Sequence, residues 1–368
     1  MKIIHVTDSM DVGGAERIIA LLCRSQRDQG FSPSVQCLYR KGSIGEELEA
    51  QGFQVNLQCR SSLPGLMSSL YRVFGSDKPD VVHCHNATAA IMAAIPARMT
   101  GTRCVLVTRH GLVRPFRVTS GEVKFAVASH FCDWVVAVCD AAKQNLQAAP
   151  FAVRDRVRCV YNGSPPMMSS HSPSFPKRGL TLLHVGRMAP VKDQEKLLRA
   201  FALAKSRTPD LQLWIVGDGP LRSRLEELAE ELGIASATQF WGEQANVAPF
   251  YGAADLFIMS SVSEGLPMVL LEAMSAGLPA VVPAVGGMAE IAKLSPSVVA
   301  VSNPTYESLA NAISDFASDK ARYGRFREAA RNCYETHFTV EQMCSQYVSL
   351  YTCSRRLPKT LPKWSHSR

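Results

Sequence analysis

The chain has 368 residues, 46% of them apolar, and a formal net charge of +8; its length exceeds what one hydrophobic core usually serves, so two domains are expected. It contains no apolar stretch long enough to cross a bilayer and no apolar N-terminal segment of the signal-peptide type, so we expect a cytoplasmic protein. Its 11 cysteines include no Cys-x-x-Cys pair, which argues against both a disulfide framework and a thiolate zinc site.

Short apolar runs alternate with helical patterns along the chain, an order that favours parallel sheets with crossover helices. In the first half, predicted strands include residues 2–7, 80–85, 104–108 and 134–138. In the second half, they include residues 180–185, 211–216, 255–259 and 278–283. The predicted fold class is α/β, with two doubly wound Rossmann-like domains that face each other across a ligand-binding cleft.

The boundary between these domains is marked by the segment 164–179, which has four prolines, five serines and no periodicity. That composition is typical of a linker. We therefore predict an N-terminal domain over residues 1–165, a linker over 166–179 and a C-terminal domain over 180–338.

The last part of the chain carries a helical stripe followed by a polar tail. Met343, Tyr347 and Tyr351 recur every four residues, which predicts an amphipathic helix within residues 339–356. Residues 357–368 combine two prolines with scattered basic residues and are predicted to be a disordered basic tail.

Basic residues concentrate in the first 165 positions, with 19 Lys and Arg against 13 Asp and Glu. Such an excess suits anionic lipid, an acidic acceptor or nucleic acid. Nucleic acid is disfavoured as a partner, because no recognised nucleic-acid-binding motif accompanies the charge. A plain solvated surface is the simpler alternative.

The most informative segment holds two carboxylates, Glu264 and Glu272, with seven residues between them. Pro267 suits the first position of a helix and Gly277 its end, so Glu264 is predicted on the preceding loop and Glu272 within the helix. The N-terminus of such a helix offers unpaired N–H groups to a phosphate, and the carboxylates can accept hydrogen bonds from hydroxyls. This pattern indicates a nucleotide-sugar site. The alternative is that Glu264 caps the helix and Glu272 is solvated.

This segment resembles the paired-glutamate signature of retaining glycosyltransferases with the GT-B fold, in particular family 4. Other motifs match that family in the same order: Gly13-Gly14-Ala15-Glu16, Arg109-His110-Gly111, Asn162-Gly163, Gly186-Arg187 with Lys192, Gly217-Asp218-Gly219-Pro220, and Gly286-Gly287 with Glu290. The resemblance covers nearly the whole chain. It implies that the last helix crosses back to the N-terminal domain. It also implies a donor site in which Glu264 holds the sugar and Glu272 the ribose, beside Gly265, Leu266 and Pro267.

A departing nucleotide diphosphate needs its negative charge neutralised, and the chain has no Asp-x-Asp element to hold a metal for this purpose. Protein cations are expected instead. Arg187 and Lys192 follow the predicted strand 180–185 and resemble the family's diphosphate-binding pair. We expect no metal and no cofactor, the nucleotide sugar being a substrate. Ordinary loop cations are the alternative.

Two elements of the N-terminal domain complete the candidate site. Gly13 and Gly14 follow the first strand, so their N–H groups could approach a phosphate, although a plain tight turn is the alternative. His110 follows the strand 104–108, and the resemblance implies that it faces the donor sugar. His83 and His85 share one face of a strand, but a metal site there is not favoured.

The resemblance implies a retaining glycosyltransferase that moves a sugar from a nucleotide-diphosphate donor to a hydroxyl of a saccharide or lipid-linked acceptor, in cell-surface polysaccharide or glycolipid synthesis. His110, Glu264, Arg187 and Lys192 are the candidate catalytic residues, and no nucleophile is assigned. A sugar-nucleotide 2-epimerase of the same fold and a non-catalytic binding subunit are the alternatives.

Basic and aromatic residues follow His110 in the N-terminal domain, which handles the acceptor in GT-B enzymes. They are Arg109, Arg114, Phe116, Arg117, Lys124 and Phe125. This stretch predicts a peripheral contact with an anionic membrane, from which the enzyme would meet a lipid-linked acceptor. A mobile basic loop with a soluble acceptor is the alternative.

Overall fold

The computed structural model describes most of the chain. The described residues are 1–58, 62–111, 119–149, 153–167, 175, 179–319 and 323–353. They form two parallel sheets flanked by helices, so the predicted fold class is confirmed.

The N-terminal sheet has seven parallel strands in the order β3-β2-β1-β4-β5-β6-β7. Its strands are β1 (Lys2–Ser9), β2 (Ser32–Arg40), β3 (Gln54–Leu57), β4 (Val81–His85), β5 (Cys104–Arg109), β6 (Trp134–Ala137) and β7 (Val157–Cys159). Its helices are α1 (Gly14–Asp28), α2 (Gly42–Ala50), α3 (Leu63–Asp77), α4 (Asn86–Met99), α5 (Ser120–Ser129) and α6 (Asp140–Ala148). The strand order reverses between β1 and β4, which opens a crevice beyond their carboxyl ends.

The C-terminal sheet has six parallel strands in the order β10-β9-β8-β11-β12-β13. Its strands are β8 (Leu180–Val185), β9 (Leu211–Val216), β10 (Thr238–Gly242), β11 (Leu256–Ile258), β12 (Ala280–Pro283) and β13 (Val298–Val301). The helices that follow them are α7 (Gln194–Arg207), α8 (Arg222–Glu231), α9 (Ala248–Ala253), α10 (Met268–Ser275), α11 (Gly287–Leu294), α12 (Tyr306–Ser318) and α13 (Tyr323–His337). Here the order reverses between β8 and β11.

Helix α14 (Val340–Thr352) follows the C-terminal domain in sequence and packs against α1 of the N-terminal domain. It begins with a capping box, in which Thr339 and Gln342 satisfy each other's backbone N–H groups. Tyr347 and Tyr351 are buried on its inner face. The indole N–H of Trp134 donates to the Leu350 carbonyl at 3.0 Å. The end of the described chain is therefore fixed to the N-terminal sheet.

Candidate active site

The predicted site residues follow strands at or beside the two reversal points. β1 and β5 lead to Gly13 and His110, while β8 and β11 lead to the loops of Arg187 and Glu264. Ligands of doubly wound sheets bind beyond the carboxyl ends of strands at such points. The fold thus places both sets of residues at the carboxyl edges of their sheets.

The two edges touch each other at glycines. A Cβ atom on Gly14, the first residue of α1, would lie 4.0 Å from Cγ of Met268, the first residue of α10. A Cβ atom on Gly265 would stand only 2.5 Å from the His110 carbonyl oxygen. The N-termini of α1 and α10 therefore approach each other, and any side chain at position 265 would push the domains apart.

Glu264 lies on the loop before α10, as predicted, and forms an ion pair with Lys192. The Lys192 Nζ atom is 2.6 Å from Glu264 Oε1, with side chains 21% and 14% exposed. The N-cap of α10 is Pro267, and within the described residues no side chain accepts a hydrogen bond from the first turn of α10, so the alternative that Glu264 is its cap is wrong. The carboxylate instead pairs with a cation on a neighbouring loop of the same domain.

Hydrogen bonds to two backbone carbonyls hold the loop that carries Arg187 and Lys192. The Gln194 amide donates to the Arg187 carbonyl at 2.9 Å, and the Ser260 hydroxyl donates to the Lys192 carbonyl at 2.8 Å. The Arg187 side chain is exposed and forms no ion pair with the described part of the chain. The structure thus places an unpaired guanidinium and a paired ammonium on one ordered loop.

Glu272 lies inside α10 and is buried, with 2% of its surface exposed. The alternative that it is a solvated helix residue is therefore wrong. Its Oε2 atom accepts a hydrogen bond from the Tyr251 hydroxyl at 2.9 Å, and Arg17 Nη1 lies 3.7 Å from Oε1. Burial raises the pKa of Glu272, while the Tyr251 hydroxyl and Arg17 act in the opposite direction. Because Arg17 belongs to α1, this contact also joins the domains.

Pro267 was predicted as the first residue of α10, but the structure makes it the N-cap, with an extended ψ of 125°. The backbone before it is anchored on both sides. The Asn162 amide donates to the Leu266 carbonyl at 2.9 Å, and the Gly287 N–H donates to the Gly265 carbonyl at 2.7 Å. The first N–H groups of α10 have no acceptor within the helix.

His110 lies after β5 and is partly buried. Its Nε2 atom is 3.0 Å from Nδ1 of His85, and its backbone N–H donates to the Asn86 side chain at 3.3 Å. Burial lowers the pKa of His110 to about 4, so the ring is neutral at pH 7. Its Nδ1 atom is buried and has no hydrogen-bond partner among the described residues.

Sequence reasoning noted Glu290 only as part of a motif, and its contact was missed. The Glu290 carboxylate accepts hydrogen bonds from the Asp140 N–H at 2.9 Å and the Ala141 N–H at 2.5 Å, and from the Tyr161 hydroxyl at 3.2 Å. It therefore caps helix α6 of the opposite domain. The helix lies 150 residues away in sequence, so no local signal could reveal it.

The membrane stretch predicted after His110 is corrected in part. Phe125 is only 5% exposed. The Arg109 guanidinium lies 4.6 Å above its ring and pairs with Glu122 at 3.1 Å. Both side chains are therefore engaged inside the domain, while Lys124 is exposed. The other predicted members, Arg114, Phe116 and Arg117, lie outside the described residues. Across the described ranges, none of the helices combines the length and apolar character needed to cross a bilayer.

Comparisons with known proteins agree with this architecture. The Glycosyltransferase Family 4 model matches residues 12–166, and the Glycosyl transferases group 1 model matches residues 169–333. HepE of Anabaena, solved in complex with UDP, has a TM-score of 0.83 at 20% identity, over 96% of this chain and 100% of that one. The fold is therefore GT-B, and the chain belongs to the family 4 glycosyltransferases.

Curated relatives include one of nearly equal length. The UDP-Gal:alpha-D-GlcNAc-diphosphoundecaprenol alpha-1,3-galactosyltransferase of Escherichia coli is 24% identical, over 95% of this chain and 96% of its own length. An exopolysaccharide phosphotransferase of Streptomyces coelicolor is 29% identical over 72% of this chain, but the match spans only 28% of that protein.

Proposed function

We propose that this glycosyltransferase uses a nucleotide-diphosphate sugar, retains the anomeric configuration and needs no metal ion. One observation carries the proposal: the Lys192–Glu264 ion pair stands at the N-terminus of α10, on the loop that touches His110. A cation, a carboxylate and a neutral imidazole thus border one cleft. A nucleotide sugar offers the matching groups, a diphosphate for the cation and hydroxyls for the carboxylate and imidazole.

The donor would bind with its diphosphate between the N-termini of α1 and α10. Both helices direct N–H groups and a positive dipole end toward that space. Gly13, the N-cap of α1, has no side chain, and the Glu16 carboxylate that lies beside it would turn away from the diphosphate. Arg187 and Lys192 would neutralise the two phosphates. As Lys192 turns to the diphosphate, Glu264 is released to the sugar hydroxyls. Glu272, anchored by Tyr251, would bind the ribose.

The transfer step would proceed on one face of the sugar. The bond between the anomeric carbon and the diphosphate oxygen breaks as the acceptor oxygen bonds to the same carbon from the same side. The acceptor proton passes to the departing phosphate oxygen. In this scheme Glu264 orients the sugar, and the cations stabilise the charge that develops on the leaving group. No side chain acts as a nucleophile.

A lipid-linked saccharide is the acceptor that we propose, within polysaccharide or glycolipid assembly. The Escherichia coli relative is named for such an acceptor. On this chain, helix α5 and the turn after it expose Val123 (41%), Val127 (55%) and Phe131 (37%) beside Lys124. An apolar stripe next to a basic residue suits a peripheral contact with anionic lipid.

A donor-panel assay tests the proposal, because slow hydrolysis of the correct nucleotide sugar needs no acceptor. We expect one donor, with UDP-sugars tried first, to release its nucleoside diphosphate and free sugar in the presence of EDTA. Hydrolysis with retention should give the α-sugar first from an α-linked donor, as measured by NMR. Conversion of the donor to its 2-epimer would instead identify an epimerase, and absence of any reaction or nucleotide binding would support a non-catalytic subunit.

Cosedimentation with vesicles tests the membrane contact. Wild-type protein should bind vesicles that contain anionic lipid at low salt, and Val127→Asp should weaken this binding. Leu63→Asp, which also replaces an exposed apolar residue of the N-terminal domain with aspartate, is the matched control. Equal binding by the two variants would remove α5 from the contact.

A further inference from the structure

Four histidines lie side by side beneath the candidate active site. His5 is on β1, His83 and His85 are on β4, and His110 follows β5. His5 pairs with His83 in the register of neighbouring parallel strands, so their side chains share one face of the sheet. His5, His83 and His85 have no exposed surface. Nothing in the proposed transfer step uses these three rings.

Three of these rings form an unbroken chain of hydrogen bonds that ends at Gln26 of α1. His110 Nε2 lies 3.0 Å from His85 Nδ1, and His85 Nε2 lies 3.0 Å from His5 Nδ1. His5 Nε2 lies 2.9 Å from the Gln26 side-chain oxygen. Burial lowers the pKa of His5 to about 4 and that of His85 well below its usual value. Every ring in the chain is therefore neutral at pH 7.

A neutral imidazole has one donor nitrogen and one acceptor nitrogen, so the chain has a single direction. Because the Gln26 oxygen only accepts, His5 donates from Nε2 and accepts at Nδ1. His85 must then donate from Nε2 and accept at Nδ1, and His110 must donate from Nε2. The Nδ1 atom of His110 is consequently left as a bare acceptor, and it is the ring nitrogen without a partner among the described residues.

The other end of the Gln26 amide has a partner of its own. Its NH2 group donates to the Tyr351 hydroxyl of α14 at 3.2 Å. That hydroxyl lies 2.9 Å from His83 Nδ1, and His83 Nε2 lies 2.8 Å from the Thr108 hydroxyl. A second arm of hydrogen bonds, through His83, thus begins at the same glutamine and does not pass through His110.

We propose that Gln26 is a positioning residue that sets the tautomer of His110 through His5 and His85, so that Nδ1 of His110 accepts a hydrogen bond from a substrate hydroxyl. The assignment of that hydroxyl to the substrate rests on the proposed function, whereas the tautomer is a property of the protein alone. A buried acceptor nitrogen without a hydrogen bond is unfavourable in free energy. A hydrogen bond from a ligand hydroxyl to Nδ1 would remove this cost.

A metal ion at His5, His83 and His85 is the competing explanation, because their ligand nitrogens all lie within 4.8 Å of one another. The ring arrangement opposes it. The rings of His83 and His85 are stacked with centroids 4.1 Å apart, whereas ligands of one ion point their nitrogens at a common centre. Each of these rings also already directs both nitrogens at protein partners within 3.0 Å.

Long-range proton–nitrogen NMR of the histidine rings in the full chain, without substrate, is the direct test. In wild-type protein, His110 should show a protonated Nε2 and an unprotonated Nδ1. Gln26→Met removes the terminal acceptor at similar volume, so we expect a mixture of both His110 tautomers. Thr108→Val interrupts the His83 arm and removes the Thr108–Tyr347 hydrogen bond, but it leaves the chain through His85 intact. This matched control should keep the wild-type His110 spectrum.

Kinetics provide the second measurement. Gln26→Met should lower kcat about fivefold to tenfold, the value of one neutral hydrogen bond, with KM for the donor unchanged. Gln26→Glu keeps an acceptor for His5 and should keep the His110 tautomer. Its negative charge should raise the pKa of the His5 ring. As the pH is lowered, this variant should therefore lose activity at a higher pH than the wild-type enzyme does.

The outcomes separate this inference from the proposed function. An unchanged His110 spectrum in Gln26→Met overturns the inference, as does a stoichiometric metal ion in the purified protein. If Gln26→Met does not fold, a second result overturns the inference instead: a Gln26→Glu enzyme whose activity falls at the same acidic pH as that of the wild type. A protein that processes no nucleotide sugar but shows the expected tautomers refutes the proposed function and leaves the assignment of Gln26 intact.

Discussion

The two sides of the cleft hold their polar groups in opposite ways. On the C-terminal side, Lys192 and Glu264 are charged, partly exposed and paired with each other, and Arg187 is exposed. On the N-terminal side, His5 and His85 are neutral and fully buried, and each ring nitrogen has a protein partner. The charged groups of the C-terminal side can exchange hydrogen-bond partners with a ligand, whereas the rings of the N-terminal side are already held by protein partners.

The difference follows from the cost of burying charge. An ion pair near the surface can be separated when a diphosphate replaces one partner, because solvent screens the intermediate charges. A row of neutral rings in a dry interior cannot adapt in this way, but it holds its donor and acceptor positions without reorganisation. We therefore expect the C-terminal side to change its contacts when a donor binds, and the N-terminal side to keep the contacts that it already has.

Glu264→Gln should produce the largest effect on the charged side. Loss of a charged hydrogen bond to the sugar should lower turnover about 10- to 150-fold. Binding of the nucleoside diphosphate should stay near the wild-type value, because Lys192 remains available to it. Steady-state kinetics and calorimetry measure the two quantities. Glu231→Gln, on the exposed end of α8, is the matched control, and wild-type turnover in Glu264→Gln would remove Glu264 from the site.

Arg187→Ala and Lys192→Ala should separate binding from chemistry on the same side. Each should weaken binding of the nucleoside diphosphate by about tenfold or more, the loss expected for one charge-assisted contact. Arg224→Ala on α8 should leave the affinity unchanged. EDTA should not alter wild-type activity. Activity that disappears with EDTA and returns with magnesium or manganese would show that a metal ion neutralises the diphosphate.

The buried, neutral histidines of the N-terminal domain should make the stability of the protein depend on pH. Burial lowers the pKa of His5 and His110 from 6.5 to about 4. Between these values the unfolded chain binds protons that the folded chain does not, so the free energy of unfolding should fall as the pH drops from 6.5 toward 4. Urea denaturation across this range measures the slope, and His5→Gln should reduce it. A flat profile would mean that the rings are solvated.

Local sequence patterns predicted the helices and strands of this fold better than they predicted the contacts between distant residues. The predicted strands 180–185 and 211–216 coincide with β8 and β9, because apolar runs bounded by turn residues are local signals. Glu264 on a loop and Glu272 in a helix were likewise predicted from nearby Pro and Gly. Even there Pro267 was misplaced by one position, since a proline fits both the N-cap and the first helical turn.

The hydrogen-bond partners of the site residues come from distant segments of the chain, and the sequence did not reveal them. Tyr251 lies 21 residues from Glu272, and the two meet only when α9 and α10 pack. The chain from His110 to Gln26 requires the register of β1, β4 and β5, which no single strand encodes. The catalytic and donor-binding roles of His110, Glu264, Arg187 and Lys192 stay predictions.

The smallest effect is expected where a charged group of one domain meets a buried carboxylate of the other. Arg17 approaches Glu272 at 3.7 Å, but its side chain is 47% exposed, so Arg17→Ala should lower the free energy of unfolding by less than about 1 kcal/mol. Tyr251→Phe removes a buried hydroxyl from the same carboxylate and should cost about 1 to 3 kcal/mol. Thermal denaturation of both variants measures the ratio. Equal losses would contradict this order and mean that the contact between the domains contributes as much to stability as the buried hydrogen bond.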